Sequence, residues 1–562
     1  MGRVTYRSIA CVLVICIFAF NLRYFPLDGT ALLGTHYYGD NGLLVVNPDG
    51  PHPIFELIER AEEAWARRLD RASQSLGEAV AEYERRYHRH PPLHFEKWWD
   101  YVVEHDVQLP DEYDDIYHDL EPFWGIDPLD LQKIREELEA RNGTVVVEKT
   151  DQSPHIELVG RKLPPDSEER LTRIILKIIL LLEDVEHYLP PFRAVFSPHD
   201  GPDMLTDYGV KSMALAAAAN GSTLKRSELP MVQRSGWLSA CHPSSPAWQH
   251  PLDFDNPPEH SVHKTFISDH RLSMDPCLHP SLLHNHGQFL KFRGGPHPES
   301  TPVPRISFCS TSLHHDIRQA NPYGWIEDII PRSNDPPWEE KVDERLVWRG
   351  RNTGIRHSVD NRWRDSHRDH MIFYVNNMTG TVDVLRSPVD NSEPVGEFTP
   401  LRKALVNPAL FDIQFAGEPA CSPELCDFLY EAFDWRKTQN VSEAGRYKYV
   451  FDIDGNAWSG RFKRLITSNS LIFKATIYPE WFMDRIAPWV HYVPVQIDLS
   501  DLHDILIFFR GGLDGKGAHE EMARKMATAG REWSKKFWRR EDLTAYMFRW
   551  VSHSHNTDVL ID

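Results

Sequence analysis

The sequence has no excess of positive charge, few cysteines and no long apolar run, and each shortage closes off a class of function. Lysine and arginine number 62 against 82 aspartates and glutamates, a formal net charge of -20. That balance argues against a general nucleic-acid-binding role. Neither an HExxH nor a CxxC pattern occurs, so the common zinc signatures are missing. His314, His315 and Asp316 are adjacent, and neighbouring side chains diverge in a helix or strand, so they do not make a metal site by themselves. The unbroken apolar stretch at residues 9–20 is short of the roughly 20 residues that span a bilayer.

That stretch is preceded by Arg3 and Arg7 and followed by Arg23, and no small-x-small cleavage site follows it cleanly. It reads as an uncleaved signal anchor in a thin early-secretory membrane, with a cleaved signal peptide and a buried strand as the competing readings. The flanking charge puts the N-terminus in the cytosol and the rest of the chain in the lumen of the endoplasmic reticulum or Golgi, as a single-pass type II protein. Sequons at Asn142, Asn220, Asn377 and Asn440 agree with a luminal course. Five cysteines lie outside the apolar stretch, enough for two disulfides and one remaining thiol, and the closely spaced Cys421 and Cys426 are the favoured pair.

With 562 residues the chain can build two or three domains. We divide it into an anchor at 1–25, a linker and helical stem at 26–90, an acceptor-side domain at 91–335 and a donor-side domain at 336–562. The stem reads as one long amphipathic helix over 54–87, with apolar positions from Ile58 to Tyr87 at helical spacing. A further apolar helix is expected over 173–189 and a terminal one over 518–550.

The chain is organised around residues 447–476, YKYVFDIDGNAWSGRFKRLITSNSLIFKAT. Aromatic and β-branched residues over 447–453 suit a partly buried strand, and Gly455 and Asn456 break it. Ser459 is a plausible N-cap for a short helix that starts at Gly460 or Arg461, and 471–477 reads as strand again. Strand, tight turn, helix start and strand make the unit of a nucleotide-binding α/β domain. Its turn is locally cationic, with Arg446, Lys448, Arg461, Lys463 and Arg464 outnumbering Asp452 and Asp454. Such a turn at a helix start can hold phosphate, while an ordinary βαβ unit with a solvated basic face is the plainer reading.

Two other tracts bear on chemistry. Residues 344–368 carry seven arginines around a strand and the turn of Gly350, Thr353 and Gly354. Guanidinium groups bind phosphate through paired hydrogen bonds and keep their charge, so Arg349, Arg351 and Arg368 are candidates for the second half of a diphosphate clamp. The SPHDGPD loop at 197–203 follows a strand, and loops at that end of an open α/β sheet carry ligands, which makes His199 and Asp200 acceptor-side candidates.

The run DIDGNAWSGRFKRL from Asp452, with PEWFMDRIAPWVHYVP from Pro479, resembles the signature of glycosyltransferase family 90 in its fungal capsule-associated-protein branch. FEKWWDYV from Phe95, DEYDDIYHDLEPFWG from Asp111, MDPCLHPS from Met274, TSLHHDI from Thr311, LVWRGRNTG from Leu346 and DIQFAGEP from Asp412 are similar to the same branch. Protein O-glucosyltransferases of animals are more distant in this comparison. The chain departs from the family at Arg351, where a small residue often follows Trp-Arg-Gly.

The resemblance implies an α/β protein of two facing Rossmann-like domains, the GT-B arrangement, and an inverting transferase that moves xylose or glucose from a UDP-sugar. The acceptor it implies is a hydroxyl of a glycan or glycoprotein. It places Asp119 at the catalytic aspartate and Arg349, Gly350, Arg351, Thr353, Arg368, Asp454, Ser459, Gly460, Arg461 and Lys463 around the donor. No cofactor beyond the UDP-sugar co-substrate is expected, and no metal site. Alternative readings are a non-catalytic carbohydrate- or nucleotide-binding protein of the same fold, a glycoside hydrolase, and a manganese-dependent GT-A transferase using Asp452 and Asp454.

Overall fold

A computed structural model describes residues 33–249, 252–254, 257, 263–291, 295–321 and 335–555. The apolar stretch at 9–20, and the anchor expected there, lie outside the described residues. Among the described residues no helix is long and apolar enough to cross a membrane.

The region expected to be a linker contributes structure. β1 (Tyr37–Tyr38) and β2 (Leu43–Val45) form a three-stranded sheet with β6 (Thr265–Ile267), in the order β1-β2-β6 and antiparallel throughout. The expected single stem helix is two: α1 (Pro53–Asp70) and α2 (Leu76–Tyr87). Ser75 explains the break, because its hydroxyl accepts the Glu78 amide and so caps a new helix. Both helices belong to the body of the protein. His52, Ile54, Leu57 and Ile58 are buried at one end, and Tyr83 and Tyr87 at the other.

α3 (Phe95–Glu104), α4 (Asp114–Leu120) and α5 (Pro128–Glu139) lead into the first large sheet. It consists of β3 (Thr144–Lys149), β4 (Glu157–Lys162), β5 (Phe192–Phe196), β7 (Arg305–Ser307) and β8 (Ile317–Arg318), in the order β4-β3-β5-β7-β8. β3 runs antiparallel to both β4 and β5, while β5, β7 and β8 are parallel. The sheet of this domain, expected to be Rossmann-like, is therefore mixed. The helix foreseen over 173–189 runs as α6 (Glu168–Leu182), which buries Leu171, Ile175, Ile178 and Leu181 but leaves Leu176 and Leu180 exposed.

The second large sheet is wholly parallel. β9 (Asp343–Gly350), β12 (Phe411–Phe415), β13 (Tyr447–Ile453), β14 (Leu471–Ala475) and β15 (Val493–Pro494) stand in the order β12-β9-β13-β14-β15. A separate antiparallel ribbon pairs β10 (Thr381–Val384) with β11 (Thr399–Arg402). Counted in chain order within the parallel sheet, this is the doubly wound 2-1-3-4-5 arrangement, whose strand order reverses between β9 and β13. All seven residues of β13 are buried, more than its alternating sequence implied. Its polar members have partners there: Lys448 pairs with Glu344 at 2.9 Å and Glu520 at 2.5 Å, and Asp452 with Lys474 at 2.9 Å. Burial of such groups is tolerable only with partners of this kind.

The expected terminal helix is also two, α7 (Glu520–Phe537) and α8 (Arg540–His555). α8 lies in the core of the first half. Trp98 Nε1 donates to Ala545 O at 3.0 Å, Thr544 Oγ1 to Leu181 O at 2.8 Å and Arg549 Nη1 to Pro110 O at 2.8 Å.

Candidate active site

In a doubly wound sheet ligands bind beyond the carboxyl ends of the strands, at the point where strand order reverses. That point here is bounded by Gly350 at the end of β9 and by Asp454 and Gly455 after β13. A cavity of about 200 Å³ opens there, lined by residues that include Trp348, Arg349, Gly350, Arg351, Ala416, Arg461 and Arg464. Larger cavities exist; one of about 590 Å³ lies between α1 and α2 and shares no lining residue with it.

The arginines of the two tracts converge. Arg461 lies against the Trp348 ring at 5.0 Å and Arg368 at 5.3 Å. Contact with an aromatic face stabilises a guanidinium without neutralising it. A Cβ added to Gly350 would stand 2.4 Å from Arg461 Nη2 and 2.7 Å from the Trp348 ring, so glycine is what lets Arg461 approach the strand end. Arg461 Nη1 donates to Ile453 O at 3.4 Å. Burial, with Arg464 adding to it, brings Arg461 down to about 10, against the opposing pull of Asp452. Arg368 is buried and donates to Asp454 O at 2.6 Å, Arg351 O at 2.8 Å, Thr353 Oγ1 at 2.6 Å and Ile453 O at 3.3 Å. Its hydrogen bonds go to carbonyl and hydroxyl oxygens, so its charge is left to act on the cavity.

Other expected donor residues are placed differently. Arg349 lines the cavity, but its guanidinium is held by Asp412, with Oδ1 at 2.5 Å and the main-chain oxygen at 2.6 Å. Lys463 is turned away: it is buried against Trp538, whose main-chain oxygen accepts from Nζ at 2.8 Å. Arg351 is exposed on the cavity wall. Ser459 does not cap the helix. Its hydroxyl donates to Asp452 Oδ1 at 2.5 Å, and the helix, Phe462–Ile466, begins three residues later with Arg461 at the cap position. Gly460 is exposed beside the Trp458 ring. At five residues this helix is too short to give much of a macrodipole, so guanidinium charge dominates the turn.

Asp452 and Asp454 are both buried and engaged below the cavity. Asp454 Oδ2 accepts from Ile477 N at 2.9 Å and from His286 Nε2 at 3.2 Å. His286 Nδ1 accepts the Gln288 amide, which leaves the proton of the neutral ring on Nε2. His367 stacks on His286 with centroids 4.0 Å apart, accepts the Gly287 amide and donates to Asp454 O at 3.0 Å. Burial raises Asp454 to about 6 and holds both histidines well below their ordinary value. Neither carboxylate lines the cavity, as a GT-A reading requires. Among the described residues no group of three or more His, Cys, Asp or Glu is arranged to hold a metal ion.

Across the cleft stands the 197–203 loop. Asp316 fixes its end by accepting from Asp203 N at 3.1 Å, Met204 N at 2.8 Å and Ser307 Oγ at 2.7 Å. Arg305 ties Ser197 Oγ and Asp203 Oδ2, each at 2.9 Å. The loop separates its two candidates. His199 packs toward Gly143, whose added Cβ would lie 2.8 Å from Nε2, whereas exposed Asp200 faces the donor-side turn and accepts from Asn456 Nδ2 at 3.3 Å. Gly201 would likewise meet Ala457 at 3.7 Å.

Asp119 sits elsewhere, at the end of α4. Its carboxylate accepts from Arg318 N at 2.8 Å, Nε at 2.9 Å and Nη2 at 2.7 Å, and Arg318 Nη2 also reaches Asp115 at 2.9 Å. Both carboxylate oxygens are thus engaged by Arg318, and Asp119 does not line the cavity. Sequence reading missed Asn456, Lys291 and Gln288 on the cleft wall. The signal available for Asn456 was its place at the tip of the turn after β13.

The sequons at Asn142, Asn220, Asn377 and Asn440 all lie on exposed residues. Disulfides join Cys241 to Cys277 and Cys421 to Cys426, and Cys309 is a buried free thiol.

Comparison with known proteins points to one family. Residues 407–554 match the model of glycosyl transferase family 90. Protein O-glucosyltransferase 1 of Homo sapiens is 34% identical over 249 residues, covering 43% of this chain and 55% of that protein. The Rattus norvegicus protein of the same name is 27% identical over 259 residues, with the same coverage. The O-glucosyltransferase rumi homolog of Aedes aegypti is 36% identical over 139 residues, 22% of this chain and 33% of that protein. The chain thus spans about half the length of the first two.

Proposed function

We propose, because residues 407–554 match the model of glycosyl transferase family 90, that the protein transfers a sugar, glucose or xylose, from a UDP-sugar to a hydroxyl of a glycan or glycoprotein. The observation that carries this reading is the meeting of Arg461 and Arg368 at the Trp348 ring, at the strand-order reversal of a parallel sheet, with Asp200 facing the same turn from the other side of the cleft. On this reading the cleft is of the GT-B type, with a mixed first sheet.

The diphosphate lies against Arg461 and Arg351, over the buried charge of Arg368, with Gly350 giving the close approach. As the bond between the anomeric carbon and the diphosphate oxygen breaks, its electron pair leaves with UDP, and these fixed cations stabilise the growing negative charge. The acceptor hydroxyl forms the new bond on the opposite face of the sugar, which inverts the anomeric centre. Its proton passes to Asp200, the exposed carboxylate that faces the donor turn, in place of Asp119, which Arg318 holds. Two disulfides and four exposed sequons favour an oxidising, secretory compartment.

The test is UDP release by the purified protein against a panel of UDP-sugars, with and without oligomannose or a protein acceptor. Acceptor-dependent release with one donor, abolished by Asp200→Asn while UDP still binds, is expected. No UDP binding by calorimetry, or full turnover by Asp200→Asn, would sink the reading.

A further inference from the structure

Asn456 is where the two walls of the cleft meet through a single side chain. It lies exposed at the tip of the turn that ends β13. Its Oδ1 accepts from Gly354 N at 3.2 Å, on the loop that follows β9, and its Nδ2 donates to Asp200 Oδ2 at 3.3 Å. The main-chain oxygen of the same residue accepts from Lys291 Nζ at 3.1 Å, and that ammonium also reaches Gln288 Oε1 at 3.1 Å. A carboxamide is the side chain that can accept at one end and donate at the other with the two ends rigidly joined. An aspartate there keeps the acceptor end and loses the donor, and an alanine loses both.

The loop on its donor side is itself tightly set. Gly354 has φ +114, and a Cβ at Gly287 would stand 2.3 Å from Gly354 O, so 286–288, 351–354 and 454–456 interlock at this point. Arg368 stitches the same loop to the turn through Arg351 O, Thr353 Oγ1 and Asp454 O. A shift of the 351–354 loop on donor binding is therefore felt at Asn456 Oδ1, and through the rigid amide at Asp200.

We infer that Asn456 is a positioning residue for transfer, which orients the Asp200 carboxylate toward the donor and ties that orientation to the seating of the 351–354 loop. This rests on the reading of the cleft as a UDP-sugar transfer site with Asp200 as its base. The titratable groups that interact with Asp200 are His199 on its own loop, Lys291, and Tyr478 from beyond β14, and Cys309 Sγ meets its main-chain oxygen. Lys291 also holds the donor-side turn, through Asn456 O. Asn456→Asp adds a second carboxylate to this set, facing the first, and like charges oppose each other's ionisation.

The experiment compares unaltered protein with Asn456→Asp and Asn456→Ala in the transfer assay, with UDP affinity measured by calorimetry and folding by thermal melting. Asn456→Asp is expected to keep UDP affinity within about twofold, to lose about tenfold in kcat at neutral pH, and to move the acid limb of kcat upward by about one pH unit, so that turnover recovers at higher pH. Asn456→Ala is expected to lose a similar factor in kcat without that displacement of the limb. A purely structural asparagine would lower melting temperature and leave the shape of the pH profile alone, and that outcome overturns the inference. So does unaltered kcat in both variants. If the unaltered protein shows no UDP-sugar-dependent transfer, the reading of the cleft fails, and the inference falls with it.

Discussion

The guanidinium of Arg461 and the backbone of Gly350 touch so closely that no side chain fits between them: a Cβ at Gly350 would stand 2.4 Å from Nη2. One residue ends a strand and the other precedes a helix more than a hundred positions later in the chain, and both line the cavity at the strand-order reversal.

Gly350→Ala should therefore displace Arg461 or the Trp348 ring. We expect a loss of at least tenfold in UDP affinity by calorimetry, with a destabilisation of about 1–3 kcal/mol in denaturant unfolding, the usual cost of overpacking. Unchanged affinity would mean that Arg461 does not face the nucleotide.

Arg461 and Lys463 are neighbours in sequence with opposite fates, and their alanine variants should separate. Arg461→Ala should weaken UDP binding by about 1.5–3 kcal/mol, the range for hydrogen bonds to charged groups. Lys463→Ala should lower the melting temperature through its lost bond to Trp538 O and leave UDP affinity near that of the unaltered protein. Calorimetry and melting on both proteins check the pair; equal losses of affinity would contradict the assignment.

Asp119→Asn should act on stability. Its partner Arg318 is only 5% exposed, and removing one member of a buried pair costs about 3–5 kcal/mol. Unfolding measurements should show a loss of that order while the residual folded fraction still turns over. Asp200→Asn should do the reverse, with a near-unchanged melting temperature and no turnover.

Glu480 offers a pH test. Burial raises it from 4.5 to about 8, with Lys474 opposing, and its Oε1 lacks a hydrogen bond. The native state then holds a proton that the unfolded chain releases near its ordinary value, so its contribution to stability is present below about pH 4.5 and is lost as pH rises through about 8. Asp454 and Asp316, each raised to about 6, act with the same sign. Glu480→Gln should flatten the decline in stability between about pH 5 and about pH 8 by on the order of 1–3 kcal/mol. Parallel declines in the two proteins would argue against a buried, protonated Glu480.

What the sequence disclosed follows from what is local. The strand at 447–453, the break at Gly455 and the parallel character of the second half could be read because period, turn residues and β-branched content are properties of short windows. The two-fold split of the stem lay in Ser75, an N-cap that a continuous apolar stripe overrode. Pairing at long range was hidden. Nothing near Asp119 announces Arg318, nothing near Lys463 announces Trp538, and nothing in the run of arginines tells Arg349, held by Asp412, from Arg368, whose hydrogen bonds go to carbonyl and hydroxyl oxygens. Asp200 was visible as a loop carboxylate, but its facing Asn456 is a product of the fold.

The passage of α8 into the first half sets an order of events during synthesis. Trp98, Leu181 and their neighbours are made early, yet the helix that covers them follows more than three hundred positions later in the chain. At about 5–20 residues per second, the nascent chain carries that apolar surface uncovered for on the order of tens of seconds. Chaperone capture in that interval, and sensitivity to stops ahead of α8, are consequences of where one helix rests.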